Sequence, residues 1–219
     1  MKLKNKVPLL ITIALSLIKR NTTDFEKYKQ LKVNYAFSIK KTDLPPEFND
    51  KSFEIVNEFI RKTVDLDYEI LLYFDYITGE IIRCKIGTER NVELEFEDNE
   101  FEGKNIASIH NHGKNMYSPP SYENFGIFLR DWEEYELIAG KNCLWILKGK
   151  LKDEKLAKEL RTKSYRIFIS SFHYYARKCK SEDMAFKKCD ELYGKRLSNY
   201  INDKNIKEIQ LTKLEYNND

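Results

Sequence analysis

The spacing of apolar residues changes twice along the chain, and that double change limits what it can fold into. In NDKSFEIVNEFIRKTV, Phe53, Val56, Asn57 and Ile60 recur at helical intervals, Phe59 widens the stripe, and Asn49 or Asp50 can cap the start. The spacing predicts a helix over about 51–64. Upstream, residues 23–39 read as a short helix with Thr22 or Thr23 as its cap, broken by Leu44-Pro45-Pro46. From residue 68 the period drops to two. Ile70 to Phe74 and Ile81-Ile82 flank a turn at Ile77-Thr78-Gly79, which predicts a hairpin. NVELEFED alternates Val92, Leu94 and Phe96 with Glu93, Glu95 and Glu97, the pattern of a half-exposed edge strand. NIASIHNH, YELIAG and CLWILKGK add three strands, the last two around Gly140-Lys141-Asn142. Ser121 can cap a helix reaching about Asp131. From Asp153 the spacing is helical again, through about Lys180 and then from Glu182 to Tyr200, and NIKEIQLTKLEY supplies one late strand. The class this implies is α+β: a mixed β-sheet core flanked by helices.

Charge divides the chain at nearly the same places. Residues 1–64 carry a net +6, residues 65–150 a net −8, and residues 151–219 a net +5. The organisation expected is an N-terminal helical extension over 1–64, a core over 65–150, and C-terminal helices with a final strand over 151–219. An acidic core lacks the clustered Lys and Arg that phosphate binding needs, so no nucleic-acid partner is expected. The four cysteines form no CxxC pair and read as reduced thiols. In KVPLLITIALSLIKR the uncharged run from Val7 to Ile18 is 12 residues, against about 20 for a membrane span. It reads as a buried or docking helix of a cytoplasmic protein, with no membrane partner. A secretory signal is the open alternative, since Lys2, Lys4 and Lys6 precede the run and Ala14-Leu15-Ser16 is loosely like a cleavage site.

The chain has three histidines, and two of them, His110 and His112, stand one residue apart in SIHNHGKNMYSPPSYENF. Residues i and i+2 of a strand project to one face, so both rings can reach one spot. Paired neutral imidazoles are the start of a zinc site, which for catalysis needs a third protein ligand and an open position. His173 lies in a helical stretch and reads as a packed or surface residue. The letters H-N-H do not make an HNH nuclease, whose residues are separated along a ββα unit, and a cupin would need a third histidine on a later strand.

HNHGKNMYSPPSYEN resembles the H-x-H…S-x-x-D signature of the JAB/MPN (JAMM) metallopeptidase-like family, and looks most like its phage head-morphogenesis and DNA-repair-type (RadC-like) variants. The resemblance extends upstream through EILLYFDYITGEIIRCKIGTERNVEL and covers residues 68–148. It implies the cytidine-deaminase-like JAB/MPN architecture, a zinc ion, and a protein or peptide substrate whose peptide or isopeptide bond is hydrolysed by metal-activated water. Residue by residue, it implies that His110 and His112 are the histidine ligands, Glu69 the general base, and Ser121 the group that helps hold the oxyanion. The position of the family's third ligand, an aspartate, falls on Asn124, with Glu123 beside it as a substitute. Gly113 stands where the family has proline. Asn offers a neutral carbonyl in place of a carboxylate, which weakens a zinc site. Two readings follow: an active zinc-dependent peptidase or isopeptidase, and a catalytically degenerate module of the same fold with a binding or assembly role.

Overall fold

The alternating segments assemble into one six-stranded sheet, and the helical segments cover it on both faces. The computed structural model describes residues 23–218 except 35, 90–91, 93–99, 113–119, 122–123, 126–131, 142 and 150–152. The N-terminal apolar run, most of NVELEFED, Glu123 and the greater part of the helix expected after Ser121 therefore lie outside the described residues. Helix α1 covers residues 23–30 and is followed by β1 (Phe37–Ser38), α2 (Asp50–Thr63), β2 (Ile70–Asp75), β3 (Glu80–Ile86), β4 (Ile106–Asn111), β5 (Glu133–Ala139) and β6 (Cys143–Gly149). The chain ends with α3 (Glu154–Ala176), α4 (Glu182–Asp203), β7 (Ile209–Glu215) and β8 (Asn217–Asn218). No helix among the described residues is long and apolar enough to cross a membrane.

The sheet order is β3-β2-β4-β5-β6-β7. Every pairing is antiparallel except β4 with β5. A parallel pair cannot be closed by a tight turn and needs a long crossover. Here the crossover is the stretch between Asn111 and Glu133, which carries the Ser121 motif. The fold class is thus α+β with a mixed sheet flanked by helices, as the change of period implies.

Each face of the sheet has its own core. Ile70, Leu72 and Phe74 of β2, Ala107 and Ile109 of β4, Tyr135 and Leu137 of β5, and Leu144 and Ile146 of β6 pack against Val56, Phe59 and Ile60 of α2. On the other face, Ile138, Trp145 and Leu147 meet Leu160, Ile167, Tyr193 and Leu197 of α3 and α4. A smaller cluster of Leu71, Tyr73, Phe101 and Ile106, with Trp132 against it, covers that face at the β2 end. Helix α2 starts where its caps predict, with the Asn49 side chain accepting from the Ser52 N–H at 2.8 Å. Its buried residues are Ser52, Ile55, Val56, Phe59, Ile60, Lys62 and Thr63. Asn57 borders the stripe and accepts from the Ile39 N–H at 2.9 Å.

One expected helix is shorter than its sequence suggests. Residues 23–39 were expected to continue as a helix, yet the helix ends at residue 30 and Phe37–Ser38 pair with Asn217–Asn218. The cause is tertiary. The Lys62 ammonium donates to the Lys29 carbonyl at 3.1 Å, taking over an end carbonyl that the next turn would have used. The Asn34 N–H donates to the Arg61 carbonyl at 3.0 Å, which pulls the following chain along α2.

The contact of Trp145 with α4 sets a further limit. A Cβ added at Gly194 would stand 2.1 Å from the Trp145 Cη2 atom and 2.9 Å from Cζ3. Gly194→Ala should gain about 1 kcal/mol of helix propensity and lose about 2–3 kcal/mol to overpacking. A net loss of about 1–2 kcal/mol is expected in urea titration; a stabilised variant would mean that the indole is not held against the helix.

Candidate metal centre

Strand β4 lies in the middle of the sheet, between β2 and β5. Its alternation sends Ala107 and Ile109 into the α2 core. Ser108 and His110 take the opposite face, and His112 continues that alternation just past the strand. All three are buried. Burying unpaired polar groups costs about 1–3 kcal/mol each, so a row of them on a central strand requires partners. Ser108 donates to the buried Glu133 carboxylate. The two histidines meet each other: their Nε2 atoms are 3.3 Å apart.

His110 has further neighbours on both sides of its ring. Its Nδ1 faces Glu136 Oε1 at 3.6 Å, and its Nε2 lies 3.3 Å from the Asn124 amide nitrogen. Glu136 reaches this spot because the parallel register sets it beside Ser108, one pleat from Ile138, the partner of His110. The Asn124 amide nitrogen donates to Glu136 Oε1 at 2.8 Å, and its oxygen accepts from the Ser121 N–H. Tyr193 of α4 donates from its hydroxyl to the Pro120 carbonyl at 3.0 Å, which ties the C-terminal helices to this loop. Asn124 and Phe125 form a short 3-10 turn. Glu123 lies outside the described residues.

Glu69 immediately precedes β2, and its backbone stays paired with the chain after β3: its N–H donates to the Thr88 carbonyl at 2.8 Å, and its carbonyl accepts from the Gly87 N–H at 2.8 Å. Alternation through Glu69, Leu71 and Tyr73 therefore continues, and Leu71 is the cross-strand partner of His110. Opposite residues of an antiparallel pair share a face, so Glu69 is on the histidine face, one pleat along from His110. It is only 7% exposed, unlike an ordinary solvated strand-end glutamate.

Asn111, between the two histidines, points the other way and is completely buried. Its side-chain oxygen accepts from the Ile70 N–H at 2.7 Å, and its nitrogen donates to the Thr63 and Tyr68 carbonyls at 3.0 Å each. One side chain thus joins the end of α2, the start of β2 and the end of β4. It fixes the backbone on both sides of Glu69 to the strand that carries the histidines. Sequence reading passed over Asn111 and Glu136, because an asparagine between two histidines and a glutamate in a strand carry no local mark of these contacts.

Burial pushes the His112 imidazole down to about 4, so it is neutral at pH 7. Its Nδ1 has no hydrogen-bond partner among the described residues. Neutral imidazole is the form that binds metal. In a tetrahedral zinc site with Zn–N of about 2.0–2.1 Å, two ligand nitrogens lie about 3.3–3.4 Å apart, and the Nε2 pair matches that edge at 3.3 Å. The two histidines therefore fit two corners of such a site. Among the described residues, no group of three His, Cys, Asp or Glu is arranged to hold a metal ion. Asn124, beside His110, turns its amide nitrogen inward, and that atom has no lone pair to give. The four cysteines are free thiols; burial pushes those of Cys84, Cys143 and Cys189 up to about 12.

Comparison of the chain with protein-family models, with curated proteins and with solved structures gave no match.

Proposed function

We propose that the chain is a JAB/MPN-like, metal-dependent amide hydrolase whose site is built on His110, His112 and Glu69, acting on a peptide or isopeptide bond of a protein or peptide. The observation that carries this reading is the pair of buried imidazoles with Nε2 atoms 3.3 Å apart, on the sheet face that Glu69 shares. The surrounding order of elements also suits it: a hairpin, a central strand ending in the histidine pair, and a crossover bearing Ser121 before a parallel strand.

His110 and His112 would hold a zinc ion through Nε2. A zinc ion supplies a water of pKa about 7 and an electrophile for the substrate carbonyl. Glu69 serves as general base on its carboxylate and returns the proton to the leaving amine nitrogen. Ser121, on the crossover, donates a hydrogen bond to the carbonyl oxygen as negative charge develops there. The bond broken is the amide C–N, so the leaving group is the amine, which departs with the proton that Glu69 took from the water.

A second reading is favoured by one specific observation. With its nitrogen turned toward His110 and Glu136, Asn124 satisfies the site without a metal. On that reading the chain is a degenerate JAB/MPN-like module with a binding or assembly role.

Elemental analysis of protein purified from zinc-replete cells separates the two. The hydrolase reading expects one zinc per chain, lost in both His110→Ala and His112→Ala. It also expects that Glu69→Gln keeps the zinc and lowers hydrolysis in a peptide and isopeptide screen by about 10²–10⁴-fold. Zinc-free wild-type protein with an intact fold would falsify it and leave the module.

A further inference from the structure

The hydrogen bonds around Asn124 determine where His110 carries its proton. A backbone N–H can only donate, so the Asn124 atom that meets the Ser121 N–H is the oxygen. That fixes which way round the amide lies, a choice that heavy-atom positions alone leave open. The nitrogen then points inward with two hydrogens and no lone pair. One hydrogen goes to Glu136 Oε1 at 2.8 Å, and the other is directed at His110 Nε2, 3.3 Å away. His110 Nε2 must accept, so it is the bare nitrogen. In a neutral imidazole the proton is then on Nδ1, which faces Glu136 Oε1 at 3.6 Å. The contact with His112 agrees. His112 Nε2 lies 3.3 Å from that same nitrogen; a second bare nitrogen there would repel it, so His112 carries its proton on Nε2 and shares the single His110 lone pair with the Asn124 N–H as a three-centre contact. His112 Nδ1 is left bare, and it is the nitrogen without a partner among the described residues. An orphaned buried acceptor is tolerated more readily than an orphaned N–H.

We infer that Asn124 and Glu136 together lock metal-free His110 in the tautomer protonated on Nδ1, with its Nε2 lone pair turned to the space beside His112 and capped there by the Asn124 N–H. Both are positioning residues, acting through His110. This rests on the proposed hydrolase reading for its purpose: a metal-binding imidazole needs its lone pair aimed at the site, where a bound ion would take the place of the Asn124 hydrogen, and the Glu136 charge, 3.6 Å from the other nitrogen and so beyond hydrogen-bond reach, favours a proton there. It assigns Asn124 a task that an aspartate could not perform. A carboxylate at that position has no hydrogen to donate, and it would meet the Glu136 carboxylate instead of bridging it to His110. The lock draws on three parts of the chain that are far apart in sequence: β4, the crossover and β5.

Long-range ¹H–¹⁵N correlation spectra of the metal-free protein read the tautomers directly. With three histidines in the chain, single His→Gln variants assign every ring. The expected wild-type result is His110 protonated on Nδ1 and His112 on Nε2. Asn124→Leu removes the inward donor and Glu136→Ala removes the carboxylate; each should turn His110 into a mixture of tautomers and leave the His173 signals where they were. Zinc affinity in Glu136→Ala should fall by about 10- to 100-fold. Wild-type His110 protonated on Nε2, or an unchanged His110 pattern in both variants, overturns the lock. If one variant does not fold, the wild-type spectrum and the other variant decide. A wild-type protein that binds no zinc but shows the stated tautomers supports the lock and removes the hydrolase reading, so the two fail separately.

Discussion

Asn111→Leu should cost about 4 kcal/mol of folding stability. The asparagine accepts from the Ile70 N–H and donates to the Thr63 and Tyr68 carbonyls, all within a fully buried environment. Leucine has the same branched skeleton of heavy atoms, though it is bulkier, and fills the space without making any of these bonds. Three backbone groups lose their partners, and each buried orphan costs about 1–3 kcal/mol. A domain has about 5–15 kcal/mol in all, so the variant should unfold at a much lower urea concentration, with an unchanged slope. Asn111→Asp distinguishes the groups: it retains an acceptor for Ile70 but turns a carboxylate on two carbonyls, and should be no better than leucine. A loss below 1 kcal/mol in both variants would show that the three segments hold together without this side chain.

Asp75 is the second large case, and it makes stability depend on pH. It sits at the end of β2 and is buried. One of its oxygens accepts from the Ile77 and Thr78 N–H groups at 2.9 Å each, and the other accepts from the Asn105 N–H at 3.0 Å. It therefore holds the β2–β3 turn and the entry to β4 together. Burial opposes its charge, but the three N–H donors outweigh burial and hold the carboxyl below its usual range. A group whose folded pKa is depressed adds stability that is fully present above its unfolded value, about 3.8–3.9, and lost as pH falls through the folded value. Asp75→Ala should lose about 3–4 kcal/mol at pH 7, since charge-assisted bonds are the stronger kind. Below pH 4 the gap to wild type should narrow, because wild type then loses what the variant never had. Denaturant titrations at pH 7 and at pH 3 measure this; a gap that widens in acid would mean that the carboxylate does not carry the effect.

The candidate site was legible in the sequence where its geometry is local. His110 and His112 share a face because a strand alternates, whatever lies around it. The Asn49 cap, the α2 stripe and the strand periods are local in the same sense: they depend on residues within one or two turns. The resemblance of the histidine motif to a known signature pointed to Glu69 and Ser121, and both lie in segments that border the pair. The role of Asn124 was not legible. As a residue type it suggested a weakened ligand, and its use as a donor depends on Ser121 and Glu136 meeting it from different directions. Glu136 gave no sign of its place, since in sequence it reads as the polar half of an alternating strand.

The sequence by itself determined the class of the fold, the place of the six strands of the main sheet, and the pairing of two imidazoles at the end of one of them, because period and residue spacing act through neighbouring bonds. Only the tertiary structure decided that β4 and β5 run parallel, that residue 30 ends the first helix, that Phe37–Ser38 meet Asn217–Asn218, and that Asn111 binds segments 41 to 48 residues away. Those outcomes depend on which buried polar groups find partners across the folded core, and a partner that distant leaves no periodic trace in the chain.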